Sequence, residues 1–130
     1  IRKDIEEHGE QWCLIDSGVP HLVAFRPEVE MFDLEEARML REKYDANVNI
    51  CTLKEDALYV RTYERGVEDE TLACGTGMVA CFIRLHLEQK VPSQIKVHPR
   101  SGDELYISHE EGVYRFGGKV TKTFLAETLI

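Results

Sequence analysis

The sequence predicts an α+β domain: a curved, mostly antiparallel sheet wrapped around one buried helix, with a second helix outside. Residues 78–87 are apolar almost all round (Met78, Val79, Ala80, Cys81, Phe82, Ile83, Leu85 and Leu87), and a helix of that kind sits inside its domain. Leu34, Ala37, Met39, Leu40 and Tyr44 mark only one side of a second helical stretch, which therefore packs on an outer surface. The rest of the chain is short apolar runs bounded by Gly, Pro and acidic turns, the pattern of strands and hairpins.

In chain order, Trp12-Cys13-Leu14-Ile15 reads as a strand, Asp16-Ser17-Gly18-Val19-Pro20 as a turn, and residues 21–25 as a second strand broken by Arg26-Pro27. Asp33 is a helix N-cap, with Glu36 three residues on as in a capping box, and that helix runs to about Tyr44. Residues 48–53 and 57–63 form a hairpin around the polar turn Lys54-Glu55-Asp56. A loop over residues 64–73 carries four acids within its first seven residues: Glu64, Glu68, Asp69 and Glu70. Cys74-Gly75-Thr76-Gly77 then opens the buried helix, which Val91-Pro92 ends. Strands follow at 95–98, 104–108, 113–116 and about 120–124. No repeat or linker divides the chain, so residues 1–130 are read as a single domain.

Composition narrows the function. With 43% hydrophobic and 31% charged residues, the chain matches an ordinary soluble globular protein. A net charge of −8 argues against a nucleic-acid partner, which needs a basic face. No apolar run approaches the roughly 18 residues that would span a membrane. The start Ile1-Arg2-Lys3-Asp4 lacks the apolar core of a signal peptide, and its first residue leaves room for a natural sequence upstream. Cys13, Cys51, Cys74 and Cys81 include no C-x-x-C pair, so no zinc site or other metal is expected, and free thiols in a reducing cytoplasm are the default. Cys13 and Cys51 lie in apolar strands and Cys81 in the buried helix, where cysteine acts as a small hydrophobe.

Cys74 differs. It immediately precedes Gly-Thr-Gly at a helix start, where free backbone N–H groups form an anion site. The same dipole favours a thiolate, so a lowered Cys74 pKa is expected. A carboxylate held by the N–H groups of Gly75 and Thr76 would put Cys74 beside the ligand's α-carbon, the geometry for moving a Cα proton. The residues alone leave open an acyl-transfer cysteine, a carboxylate-binding module and a redox-sensing thiol.

Glu64-Arg65-Gly66, followed by Thr71-Leu72-Ala73-Cys74-Gly75-Thr76-Gly77, resembles the second-half signature of the diaminopimelate epimerases. Asp16-Ser17-Gly18-Val19-Pro20-His21 and Asn47-Val48-Asn49 resemble two further segments of that family, in the same order and spacing. The resemblance covers about residues 14–84 and implies the C-terminal half of a two-domain isomerase that interconverts LL- and meso-diaminopimelate, for lysine and peptidoglycan precursor synthesis. It also implies no cofactor. Each half gives one cysteine, and the two act on opposite faces of Cα. Cys74 matches the second of the pair. Gly75 and Thr76 would bind a substrate carboxylate, and Asn47 and Arg65 its distal end. Glu64 would accept from a substrate ammonium and, with His21, tune the thiols. The implied partners are the missing N-terminal domain, which holds the other cysteine, and a second copy in a homodimer. The chain alone would be inactive.

Two departures stand out. Val19 replaces a substrate-binding Asn of the family and has no donor. The loop from Glu64 to Cys74 is one residue longer than the common spacing, and its acids 68–70 are expected to bulge into solvent. Asn49 reads as a strand-end cap.

Overall fold

A computed structural model describes residues 2–88, 93–118 and 123–127. The strands are β1 (Arg2–Glu7), β2 (Glu10–Asp16), β3 (Pro20–Phe25), β4 (Asn47–Lys54), β5 (Ala57–Glu64), β6 (Asp69–Thr71), β7 (Gln94–His98), β8 (Leu105–Glu110), β9 (Val113–Gly118) and β10 (Thr123–Glu127). The helices are α1 (Leu34–Tyr44) and α2 (Gly75–Leu87). All ten strands join one mixed sheet in the order β1-β2-β3-β4-β5-β7-β8-β9-β10, with β6 added beside β5. Two neighbouring pairs are parallel, β3 with β4 and β5 with β7, and the others are antiparallel.

The two parallel pairs explain where the helices go. Parallel strands need a crossover, and crossovers are right-handed. The first, β3-α1-β4, and the second, β5-β6-α2-β7, step across the sheet the same way, but β5 runs antiparallel to β4. Right-handedness therefore puts the helices on opposite faces. Side chains follow suit: Leu22 and Ala24 of β3 pack with Ala37 and Leu40 of α1, whereas Val23 joins Met78, Val79 and Phe82 of α2. Covered on both sides, β4 is buried from Asn47 through Thr52.

The core on the α2 side draws on β2, β3, β4, β5, β7, β8 and β9, from Cys13 to Phe116. Every residue of α2 from Gly77 to Leu85 is buried, as its all-round apolar sequence predicts. Phe82 is fully enclosed, a burial contributing about 3 kcal/mol. On α1 only Ala37 and Leu40 are buried, while Leu34 and Met39, read from sequence as core-facing, lie at the exposed rim. Asp33 caps α1 by accepting from the N–H groups of Glu35 and Glu36. The Glu36 side chain does not close a capping box, because it bonds Arg26, which also holds Glu10.

Two elements escaped the sequence reading. β1 carries five charged residues around Ile5 and pairs with β2 through a two-residue turn, His8-Gly9, whose φ angles are both positive. β6 forms inside the acidic loop, which does not simply bulge outward. Glu68 is exposed at the turn, but Glu70 is buried and clamps Arg61 with two 2.6 Å bonds. A strand near 120–124 was expected; the described strand is Thr123–Glu127, and residues 119–122 fall outside the described set. The helix stop at Val91-Pro92 likewise lies outside the described residues.

Candidate active site

Four chain segments meet at one end of the sheet. β3 and β4 begin there, β5 ends there, and α2 points its N-terminus at them. Strand alternation puts His21, Asn47, Asn49, Thr62 and Glu64 on the α2 face, which gathers the polar groups around Cys74.

Cys74 is the N-cap residue of α2, with extended backbone (φ −138°) and 8% exposure. The first hydrogen bond of the helix runs from Met78 N–H to the Cys74 carbonyl, so the N–H groups of Gly75, Thr76 and Gly77 have no partner within the helix. The Gly77 N–H leans toward Sγ without closing a full cap bond. Ser17 ties the β2–β3 turn to this end, its hydroxyl donating to the Thr76 carbonyl at 2.7 Å.

The expected lowering of the Cys74 pKa does not hold. Burial pushes the thiol up, the Thr76 hydroxyl and Gly77 N–H pull it down by less, and the Glu64 carboxylate adds to the rise. The helix dipole is present, but desolvation of the charged form outweighs it.

His21 is fully buried. Its Nε2 lies 2.9 Å from Thr76 Oγ1, and its Nδ1 lies 2.9 Å from Asn49 Nδ2. Burial lowers its pKa to about 4, so the ring is neutral at physiological pH. Asn49 is not a strand-end cap. It sits inside β4, donates to the Leu22 carbonyl as well as facing His21, and accepts from the Thr62 hydroxyl at 2.7 Å. Asn49 and Thr62 join the site although neither stands out by type and spacing; the one signal is an amide within the largely apolar run Val48 to Leu53.

Asn47 has a mostly structural geometry. Its amide donates to the Pro20 carbonyl, and its oxygen accepts from the Arg65 N–H at 2.7 Å, which pins the Glu64-Arg65-Gly66 turn to the starts of β3 and β4. Arg65 reaches the Asp45 carbonyl at 2.7 Å and the Asp45 carboxylate at 3.4 Å, and stays about a third exposed. Val19 is exposed at the lip, beside Gly18, where an added Cβ would lie 3.8 Å from the Thr76 methyl.

Gly77 proves necessary for a reason unrelated to ligand approach. A Cβ there would sit 2.5 Å from Asn49 Oδ1 and 3.0 Å from Thr62 Oγ1. Gly77→Ala is expected to cost about 2 kcal/mol through overpacking and disruption of this network, read as a lower urea midpoint. An unchanged midpoint would contradict it.

Among the described residues no group of three or more His, Cys, Asp or Glu side chains is placed to hold a metal ion. No helix there is long and apolar enough to cross a membrane. Cys13, Cys51 and Cys81 are buried free thiols, as expected.

A family model described as diaminopimelate epimerase matches residues 13–122. A diaminopimelate epimerase of Nitratiruptor sp. is 50% identical over 125 residues, which is 95% of this chain and 50% of that protein. The Campylobacter jejuni (strain RM1221) enzyme is 48% identical over 97% of this chain and 51% of its own length, and that of Helicobacter pylori is 40% identical over 85% and 42%. The chain thus spans about half the length of the curated relatives it matches. Among solved structures, a phenazine biosynthesis PhzF-family protein of Enterococcus faecalis aligns with a TM-score of 0.63 at 16% identity, covering 78% of this chain and 38% of that one. A second PhzC/PhzF protein, from Clostridium difficile, gives 0.58 over 76% and 37%. These two likenesses concern the fold. The family match spans most of the sequence, site segments included, and on it the chain belongs to the diaminopimelate epimerase family.

Proposed function

We propose that this chain is the C-terminal half of a diaminopimelate epimerase, and that Cys74 is one of its two acid/base thiols. The observation that carries the reading is a single juxtaposition: a thiol at the head of α2 beside the N–H groups of Gly75 and Thr76, which have no partner within the helix. A substrate carboxylate on those N–H groups has its α-carbon next to Sγ. The pushed-up thiol pKa means Cys74 rests protonated and enters as the acid in one direction of the reaction. The base is a thiolate on the opposite face of Cα, from an N-terminal domain that covers the site. In the reverse direction the two exchange roles, as microscopic reversibility requires. Glu64 and Arg65 offer opposite charges for an ammonium and a carboxylate of a diamino diacid, with Asn47 holding their turn in place. The chemistry needs no cofactor, since a thiolate that takes the Cα proton on one face and a thiol that gives one on the other complete the inversion. The seven strands lining the core around α2 support a sheet that curves about that helix. The full protein is read as a cytoplasmic homodimer, and this half alone as inactive.

The test is the full-length protein with LL-diaminopimelate in deuterated water. Conversion to the meso form with deuterium at Cα is expected, and none from the chain alone. The exposed apolar Val19 at the site lip favours a second reading, a racemase of a smaller amino acid such as proline. Inversion of proline with diaminopimelate untouched would replace the first reading by the second.

A further inference from the structure

The hydrogen bonds around His21 have only one consistent direction. The Leu22 carbonyl can only accept, so the Asn49 atom 2.9 Å from it is the amide nitrogen. Thr62, donating to Asn49 Oδ1 at 2.7 Å, holds the same orientation. The amide nitrogen also faces His21 Nδ1 at 2.9 Å, so Nδ1 is the bare lone pair. A neutral ring then carries its hydrogen on Nε2, where it donates to Thr76 Oγ1 at 2.9 Å. With that oxygen accepting, the Thr76 hydrogen is left to point elsewhere, and Cys74 Sγ lies 3.6 Å away.

We propose that Asn49 is a positioning residue for the Cys74 thiolate: through His21 and Thr76 it sets the direction of a buried hydrogen-bond chain that ends with the Thr76 hydroxyl donating to Sγ. The opposite tautomer would set the Asn49 NH2 against the N–H on Nδ1. It would also draw the Thr76 hydrogen onto Nε2, leaving the thiolate without that donor. Burial of His21 keeps the ring neutral, which the chain requires. The charged groups facing the ring are Asp16 from β2, which favours protonation, and Arg65 after β5, which opposes it. The charged group acting on Cys74 is Glu64, which disfavours the thiolate, while the neutral Thr76 hydroxyl and Gly77 N–H favour it. α2 has no acid in its first turn. Gly77, lacking a Cβ, lets Asn49 and Thr62 pack directly against the helix backbone, so the chain crosses from sheet to helix with no gap.

The inference rests on Cys74 acting as an acid/base, yet its readouts need no substrate. In the full-length protein, 15N NMR of His21 should show hydrogen on Nε2; hydrogen on Nδ1 would overturn the proposal with no mutation made. The apparent pKa of Cys74 can be read from the pH dependence of its alkylation, peptide by peptide, by mass spectrometry. Thr76→Val should raise it by about one unit, the worth of one hydrogen bond to a charged group, and Thr76→Ser should restore it. Asn49→Ala should raise it comparably in the wild-type background and add nothing in the Thr76→Val background. Equal rises in both backgrounds would mean that Asn49 acts through packing, and would overturn the relay. Loss of the Nε2 tautomer with epimerisation intact overturns the relay alone. Coupled thiol shifts in a protein that inverts no amino acid support the relay and overturn the functional reading.

Discussion

Replacing Cys74 by alanine in the full-length protein is expected to lower inversion of diaminopimelate by about 10³-fold or more, the scale of a lost general acid–base group. Among the described residues, none near Cys74 can stand in. His21 is neutral and held at both ring nitrogens, and the Thr76 hydroxyl is far too weak an acid. Glu64 faces the thiol, but a carboxylate on the flank of Cys74 would need to cross to Cα to replace it. Cys74→Ser should fare little better, because a hydroxyl neither gives up nor holds a proton at the needed pKa. On the proposed two-thiol mechanism the partner thiol still exchanges the α-proton on its own face, so Cys74→Ala should show deuterium uptake without inversion for one stereoisomer. The measurement is chiral chromatography with deuterium counting. Inversion near the wild-type rate would remove Cys74 from the mechanism. The fold should survive, since the side chain is small and lies at the edge of the core.

The second large effect is on stability. His21 stays neutral in the folded chain down to about pH 4, whereas its ordinary pKa is 6.5. As pH falls below 6.5 the unfolded chain takes up a proton that the folded chain refuses. Stability is therefore complete above that value and is lost progressively as pH drops from about 6.5 to about 4. The loss should reach about 3 kcal/mol. His86 shifts in the same direction through burial and the neighbouring His109, so a comparison is needed to isolate His21. Urea midpoints between pH 7 and 4.5 should fall steeply for the wild type and less so for His21→Gln. Parallel slopes for the two proteins would show that His21 does not carry the effect. The exposed carboxylates with lowered pKa, such as Glu68, weaken the fold only at the lower end of this range.

Much of this architecture can be read from the residues, for physical reasons that differ by element. α2 is legible because burial on all sides leaves no polar face in its sequence. The β4–β5 hairpin is legible because Glu55-Asp56 is a polar two-residue turn between apolar runs, and both residues adopt positive φ in the structure. β1 is not, since a charged edge strand has no apolar alternation to betray it. The thiol, the glycines and the Glu64-Arg65 pair announce themselves by type and spacing. Asn49 and Thr62 do not, because their meaning depends on register: they are directly paired across β4 and β5, and His21 reaches Asn49 from β3. The Cys74 pKa is not legible for a related reason. A helix start is visible in sequence, but the desolvation that opposes it is a property of the assembled fold. The burial of Glu70 is hidden in the sequence because its partner Arg61 lies on another strand.

The four thiols occupy four distinct positions: Cys13 on β2, Cys51 on β4, Cys81 in the middle of α2 and Cys74 at its head. Three have no exposure at all, and the fourth has a little. An alkylating reagent in dilute denaturant therefore reaches them by different openings. Fraying the first turn of α2 suffices for Cys74, whereas the others require that strands or the helix core separate. The chain thus carries native reporters of partial unfolding, one at the chemistry and three in the frame that supports it, with no label added.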